Sequence, residues 1–261
     1  MMAGKDAFPG EEHEVDFCVI GGGMAGFAAA LAAARHGARV ILMQDRPVLG
    51  GNASSECRVH ITGADRAGSI PHMRETGILE EVRLENMNRN PSKSFSVWDT
   101  VLYEKAMAEE NLTLLLNCSC QDAQLGQDRI VSVTGWQLTT QKFHTVRARI
   151  FADCSGDAVL APLTGAEVRV GREGKNEYGE SLAPEKPDDR TMGMTCWFQA
   201  RECETARPFE PLEWAYTFKS CDDLPYGADQ HKQYHLGYWW IELGGEADTI
   251  HGTEELRDEL L

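Results

Sequence analysis

The sequence predicts an α/β fold, in which helices pack on a parallel sheet and a β-meander is added. The first observation is an apolar run, Val15–Ile20, that leads through GGGMAG into an alanine-rich segment, Phe27–His36. The second is another apolar run, Val40–Met43, which completes a β-α-β unit of about 30 residues. Such unbroken apolar runs are typical of parallel strands that are buried on both faces. The third is a set of three strand-like segments between residues 119 and 150, separated by polar turns.

Helical patterns lie between these strands. In ETGILEEVRLENMNR and VWDTVLYEKAMAEEN the apolar residues share one helical face, and Ser96 is a candidate N-cap for the second helix. Leu112–Leu116 follows as a third buried strand. The strands of the predicted meander are Ser119–Leu125, Arg129–Thr139 and Phe143–Ile150. The last of them runs on into the segment ADCSGD.

The composition changes after about residue 166, which predicts a boundary between two domains. We expect a polar tail over 1–13, a cofactor-binding domain over 14–166 and part of a mixed α+β substrate domain over 167–261. This division gives a Rossmann-like sheet with a meander in the first domain.

The last part of the chain carries weaker signals. Thr191–Ala200 alternates as a strand does, and Tyr238–Leu243 reads as another strand. HGTEELRDELL opens like a helix with Thr253 as its N-cap, but no strand follows it. We therefore expect this chain to be the N-terminal portion of a longer protein, whose C-terminal part would be its partner.

The composition disfavours several classes of partner. The chain has 261 residues, 42% of them hydrophobic, and a formal net charge of −16, which disfavours nucleic acids and anionic membranes. It has no apolar run of transmembrane length, and its N-terminus lacks the apolar stretch of a signal peptide. Its eight cysteines form no C-x-x-C pair, which favours reduced thiols in a cytoplasmic protein. No histidine spacing fits a metal site, so none is predicted.

The motif Gly21-x-Gly23-x-x-Gly26 lies between the first strand and the first helix. Gly21 permits a tight turn, Gly23 lets a pyrophosphate approach the backbone, and Gly26 lets the helix pack on the strand. The N–H groups of the first helical turn, which includes Met24 and Ala25, then face the phosphates. In this context the motif predicts dinucleotide binding.

Two residues compete for the ribose contact at the end of the second strand. An acidic residue is usual there, and this chain has Gln44 followed by Asp45. A glutamine carbonyl can accept the same hydrogen bond, so either residue could make it. Arg46 is placed either to bind a 2′-phosphate or, more simply, at the surface or against a phosphate of a flavin cofactor.

Two further segments suit a cofactor site. In DRPVLGGNASS, small residues with N–H and hydroxyl donors leave the second strand, although a surface loop has the same composition. The candidate cofactor contacts in this segment are Gly50, Gly51, Asn52, Ala53 and Ser54. In ADCSGD, a strand ends in a small turn that can pass beneath the ribityl or pyrophosphate region. Its candidate contacts are Ser155, Gly156 and Asp157.

The three segments together favour FAD over NAD, because a plain nicotinamide domain would continue with further strand–helix units. Their order resembles the glutathione-reductase-like class of proteins with two dinucleotide folds. The sequences Val19–Gly26, Gln44–Ser54 and Asp153–Asp157 are similar to those of an FAD-dependent oxidoreductase family. The resemblance implies FAD, with Arg46 and Gly50–Ser54 on the flavin side. No residue stands out as an attachment site, so we expect the FAD to be bound non-covalently. It also implies a backbone contact to adenine near Cys120.

The resemblance implies flavin-dependent oxidoreduction, in which a hydride passes between a small organic substrate and the flavin. A flavin-dependent monooxygenase or halogenase is one alternative. An inactive FAD-binding fragment is another, because family members close the site with a later G-D segment that this sequence lacks after residue 172. Arg58 and His60, in CRVHI, are the candidate catalytic groups if they share one face of a strand. The simpler reading is a solvated arginine and a hydrogen-bonded histidine.

Overall fold

The computed structural model describes residues 7–61, 73–196, 203–208, 210–220, 223 and 243–260. The chain divides into two compact units, Met1–Val168 and Arg169–Leu261, whereas the sequence placed a boundary after residue 166. The assignment of the two parts to cofactor and substrate stays a prediction. Among the described residues, no helix combines the length and the apolar character needed to cross a bilayer.

The first unit is built on a six-stranded sheet. Its strands are β1 (Gly10–Ile20), β2 (Val40–Met43), β3 (Leu112–Leu115), β4 (Cys118–Gly126), β5 (Arg129–Gln137) and β6 (Lys142–Asp153). They lie in the order β3-β2-β1-β6-β5-β4. The strands β3, β2, β1 and β6 are parallel, and β5 and β4 continue the sheet in antiparallel pairing. The predicted α/β class is confirmed, and β6 joins the meander to the parallel strands.

Helices and the meander bury opposite faces of the central strands. The helices are α1 (Met24–Arg35), α2 (Gly77–Arg89), α3 (Phe95–Met107) and the short α4 (Leu160–Thr164). Successive side chains of a strand point to opposite faces, so Val19 of β1 joins a core with α1, α2 and α3. Its neighbours Cys18 and Ile20 join a second core with the meander and with Leu160 of α4. Burial on both faces explains the unbroken apolar runs of β1 and β2.

The first strand begins at Gly10, earlier than the predicted start at Val15. It therefore includes part of the predicted polar tail, which is a correction to the sequence analysis. The residues from Gly10 to Val15 pair in parallel with those from Phe143 to Ala148 of β6. Glutamates and a histidine fill this part of β1, so it has no apolar run, and only a strand far along the chain specifies it.

Two predicted helix caps are wrong. Ser94, not Ser96, is the N-cap of α3, and the carbonyl of Ser96 accepts the Thr100 hydroxyl at 2.9 Å inside the helix. Thr253 is the first residue of α6 (Thr253–Leu260) rather than its cap. Its hydroxyl donates backwards to the carbonyls of Thr249 and Ile250, at 2.7 and 2.8 Å. A hydroxyl near a helix start can bond in either direction, so composition alone does not fix the cap.

The second unit has little regular structure among its described residues. It contains α5 (Lys175–Tyr178), α6 and an antiparallel pair, β7 (Thr191–Met194) with β8 (Leu243–Gly245). The strand predicted over Thr191–Ala200 ends at Met194, and residues 197–200 lie outside the described residues. Most of the strand predicted over Tyr238–Leu243 also lies outside them.

An ion-pair network connects α1 to α2 and α3. We expect it to make part of the free energy of unfolding sensitive to acid. Arg35 donates to Glu81 and Glu109, each at 2.7 Å, and Lys105 lies 3.0 Å from Glu81. The Arg35 guanidinium, and then Lys105, lower the pKa of Glu81 to about 2. Folding lowers this pKa, so the ion pairs of Glu81 stabilise the folded state fully at pH values above the pKa that Glu81 has in the unfolded chain. This stabilisation is lost as the pH falls toward 2.

We expect Glu81→Gln to lower the melting temperature at pH 7 by about 2–4 °C, the shift for about 1 kcal/mol in a chain of this size. The difference from the wild type should shrink between pH 4.5 and pH 3, which thermal unfolding monitored by circular dichroism would measure. Glu110→Gln, at an exposed neighbouring position, is the control. A difference that stays constant with pH would contradict the role assigned to Glu81.

Candidate cofactor site

Two glycines of the turn after β1 are required by the packing of the protein itself. Gly21 has φ +97°, and a Cβ there would overlap the carbonyl of Cys154 at the end of β6. Its N–H donates to the carbonyl of Met43 at 2.8 Å, which ties the turn to β2. A Cβ on Gly26 would overlap the carbonyl oxygen of Gly21, so only glycine lets α1 start this close to β1.

Gly23 differs from these two because the protein leaves space beside it. It is the N-cap of α1 with φ −60°, and the nearest atom to a Cβ there is Cα of Gly51, at 3.9 Å. An open space therefore lies between Gly23 and Gly51, in front of the N-terminus of α1, and any side chain at position 23 would fill it. We call this space the cradle at Gly23. Within the described chain, no side chain caps α1 and no acidic residue lies in its first turn, where Met24 is half-buried and Ala25 exposed. The N–H groups and the helix dipole favour an anion at this point.

The structure places Gln44 beneath the glycine turn. This side chain is 3% exposed, and its Oε1 accepts the Gly22 N–H at 2.6 Å. Its Nε2 donates to the carbonyl of Val48 at 3.1 Å. Both ends of the amide thus hold backbone groups, and Gln44 positions the turn. Of the two residues predicted for the ribose contact, Asp45 is the exposed one.

The second segment is fastened against the first. Gly50 donates to the carbonyl of Gly22 at 2.8 Å and forms an isolated parallel bridge with Gly23. A single turn of 3₁₀-helix follows over Gly51–Ala53. In this segment Gly50, Ala53 and Ser54 are buried, Gly51 is half-buried and Asn52 is exposed. The segment is therefore part of the wall beside the glycine turn and not a free surface loop.

The third segment is a turn closed by Asp153. One carboxylate oxygen of Asp153 accepts the N–H and the hydroxyl of Ser155, at 3.1 and 2.6 Å. The other accepts the N–H of Leu160, at the start of α4, at 2.7 Å. The N–H of Cys154 donates to the carbonyl of Ile20 at 2.6 Å, so this turn lies directly beside the end of β1. Gly156 and Asp157 are exposed on it.

A cleft lies where these segments meet, at the carboxyl ends of β1, β2 and β6. Its lining includes Gly21, Asp45, Cys120, Ser155 and Asp157, which the sequence predicted as cofactor contacts. Ligands of open parallel sheets bind at this edge. The β4–β5 pairing shifts register between Cys120 and Asp122, a bulge at the point where an adenine contact was expected.

Comparison with known proteins decides the cofactor class. The sequence model of a family described as FAD dependent oxidoreductase matches residues 16–258. The chain belongs to this family. FAD is therefore its cofactor, in agreement with the prediction from the three segments.

Several solved structures of flavoenzymes and other proteins are similar to the chain. One is L-proline dehydrogenase from P. horikoshii, with 19% identity over 56% of this chain and 23% of that chain, at a TM-score of 0.34. The myxobacterial chondrochloren halogenase CndH has 18% identity over 62% and 41%, at 0.43. Thermovibrio ammonificans THI4 has 19% identity over 67% and 76%, at 0.44. The chain spans less than half the length of the first two, so their activities are not carried over.

The cradle at Gly23 fits a flavin dinucleotide of this family. The uncapped N-terminus of α1 would hold the pyrophosphate, Asp45 the ribose hydroxyls and the backbone near Cys120 the adenine. Arg46 lies 3.9 Å from Glu56, is largely exposed and is not part of the cleft lining. Burial raises the pKa of Cys118 to about 12 and that of Cys120 to about 11. Both thiols are therefore protonated at neutral pH, and they line the cleft without acting as nucleophiles.

The two candidate catalytic residues do not share a strand, because residues 58–61 form no regular structure. Arg58 is exposed, has a left-handed backbone with φ +56°, and donates from Nε to the carbonyl of Ser55 at 3.2 Å. His60 lines a second pocket, beside the ends of α2 and α3. Arg83 and Lys93 add positive charge to this pocket. Sequence patterns do not predict them as part of it, because 23 or more residues separate them from His60.

The second pocket has a mixed apolar and basic lining. Besides His60, Arg83 and Lys93, it includes Ala53 of the 3₁₀ turn, Asn86, Asn90, Phe95 and Trp98. Asn90 is 5% exposed, and its amide is committed to Ser94 and Asn86. The available groups of this pocket are therefore cations and aromatic rings, beside the segment predicted for the flavin side.

Proposed function

We propose that the chain is a non-covalent FAD-dependent oxidoreductase that passes a hydride between a small organic substrate and the flavin. The open cradle at Gly23 carries the proposal, because protein packing requires glycine at positions 21 and 26 but not at position 23. FAD, when bound, supplies the two-electron chemistry. The described residues supply its binding and its orientation.

In this proposal the ADP half lies along the cleft at the ends of β1, β2 and β6. The N–H groups of Met24 and Ala25 face the pyrophosphate, and Asp157 closes the far side of the cleft. The 3₁₀ turn at Gly51–Ala53 would direct the flavin toward the pocket that contains His60. Arg83 and Lys93 in that pocket favour a substrate that carries an anionic group.

The first test is the visible absorption spectrum of the purified protein. We expect a yellow protein that releases FAD, identified by its mass, when it is denatured. Anaerobic addition of substrates should bleach the flavin band if a hydride is transferred. A colourless protein that gains no flavin on reconstitution with FAD would refute the proposal for this chain.

The same experiment separates the alternatives. Reduced flavin that consumes oxygen and yields a hydroxylated or halogenated product would favour a monooxygenase or halogenase. Flavin that binds but is not reduced by any tested substrate would favour an FAD-binding fragment that needs a further part of the protein. Oxygen uptake and anaerobic bleaching, measured on one preparation, distinguish these three outcomes.

A further inference from the structure

Two histidines and a glutamate, residue types that can bind metal ions, meet at the amino ends of β1 and β6, at the opposite end of the sheet from the cofactor cleft. Glu11 and His13 are two residues apart on β1, so they point to the same face. His144 of β6 lies opposite Glu11 in the parallel register, which puts it on that face as well. From His13 to Ile20 the strand spans about 23 Å, at about 3.3 Å per residue, so this cluster is separate from the flavin site.

The three side chains already stand at chelating distance. His13 Nε2 lies 2.9 Å from His144 Nδ1, and Glu11 Oε1 lies 3.9 Å from His13 Nε2. One ligand atom from each residue can be chosen so that all three are within 4.8 Å of one another. Around a tetrahedral zinc ion with bonds of about 2.0–2.1 Å, ligand atoms are about 3.3 Å apart. Small rotations of Glu11 and His13 therefore suffice to close the site.

Gln137 fixes the tautomer of His144 that a metal ion needs. Its Nε2 donates to the carbonyl of Leu116 at 2.9 Å, which identifies its Oε1 as the atom that faces His144. His144 Nε2 lies 3.1 Å from that oxygen and must carry the hydrogen, so the lone pair of Nδ1 points toward His13. An imidazole that donates its second N–H to a carbonyl is the usual arrangement around metal-bound histidine.

The surroundings of His144 shield it from solvent, and it is 4% exposed. Lys142 Nζ lies 3.4 Å from the other oxygen of Glu11, and its charge opposes a cation. It leaves Oε1 of Glu11 available.

We propose that Glu11, His13 and His144 bind one Zn²⁺ ion, with the fourth position taken by water. His13 moves its proton from Nε2 to Nδ1, and Nε2 then binds the ion, so the histidine pair exchanges one hydrogen bond for two metal bonds. The ion clamps the polar start of β1 to β6. The site is independent of the proposed hydride transfer.

The test is a titration of the metal-stripped, FAD-loaded protein with Zn²⁺ by calorimetry, followed by Co²⁺ as a spectroscopic probe. We expect one site that His13→Gln weakens at least about 100-fold, and Co²⁺ absorption of tetrahedral type at wavelengths above the flavin bands. His36→Gln, which changes an exposed histidine at the end of α1, is the matched control and should bind as the wild type does. Zn²⁺ should raise the melting temperature of the control but not that of His13→Gln.

A second pair of variants covers the case in which a ligand change disturbs folding. Gln137→Glu keeps the acceptor for His144 and should retain or strengthen the binding, whereas Gln137→Leu should weaken it about 10–100-fold. Other histidines of the chain can also bind Zn²⁺, so the comparison between variants decides. Absence of binding, or equal affinity in the wild type and in His13→Gln, would overturn the proposal.

Discussion

Gly26→Ala is expected to destabilise the protein severely, whereas Gly23→Ala should leave the fold intact and weaken FAD binding. The Cβ of alanine at position 26 would overlap the carbonyl oxygen of Gly21, a backbone atom of the turn after β1. Overpacking of this kind costs about 1–3 kcal/mol, and more when backbone must move. Urea unfolding of the cofactor-free protein should show the loss. Gly10→Ala is the control, because nothing lies within 4 Å of a Cβ there.

Substitution of Gly23 separates the effect on FAD binding from the effect on protein stability. A Cβ at this position has its nearest neighbour at 3.9 Å and the backbone has an ordinary φ of −60°, so we expect a stability change within about 1 kcal/mol. FAD affinity should fall at least about tenfold, or about 1.4 kcal/mol, because the side chain fills the space that the pyrophosphate needs. Gly23→Val should abolish flavin retention. A Gly23→Val protein that purifies yellow would refute the phosphate role of this turn.

Gln44→Leu is expected to have the second large effect, which is a loss of protein stability. Leucine removes the acceptor for the Gly22 N–H and the donor for the Val48 carbonyl, and each unpaired buried group costs about 1–3 kcal/mol. The unfolding midpoint of the cofactor-free protein measures this cost. Gln44→Glu keeps the acceptor but buries a carboxyl group against the Val48 carbonyl, so it should also destabilise the protein, and more strongly as the pH rises.

Asp45→Ala is the matched test of the ribose contact at the neighbouring position. Its side chain is exposed, so its removal should change stability by no more than about 0.5 kcal/mol. A lost hydrogen bond between a charged group and a ribose hydroxyl is worth about 1.5–3 kcal/mol, so FAD affinity should fall at least about tenfold. Full FAD affinity in Asp45→Ala would contradict the assignment of the ribose contact to Asp45.

The sequence alone predicted the parts of the fold that local signals specify. The apolar runs Val15–Ile20 and Val40–Met43 marked strands buried on both faces, and glycine spacing marked the turn between strand and helix. The start of β1 at Gly10 had no such signal, because its residues are polar and a distant strand specifies them. The helix caps were also not predictable from local signals, because a hydroxyl near the start of a helix can form a hydrogen bond in either direction along the chain.

Among the site residues too, some have a local sequence signal and others do not. The three cofactor segments were visible because each needs small residues in sequence, and the structure brings Gly21, Asp45 and Ser155 to one cleft. The role of Gln44 was not visible, since an amide that holds a turn and an amide that binds a ribose look alike in sequence. The cluster formed by His13 and His144 was invisible for a different reason, because 131 residues separate its members.

The pairing of β1 with β6 also constrains how the chain folds. The strand from Gly10 to Ile20 lies between β2 and β6, and β6, which pairs with it along its length, is the last strand of the sheet to be synthesised. Closing so long a loop carries a large entropy cost, and such non-local pairing slows folding. On the ribosome, the β1–α1–β2 unit must wait with one edge of β1 unpaired until residue 153 has emerged. We expect this interval to be the one in which the nascent chain depends most on chaperones.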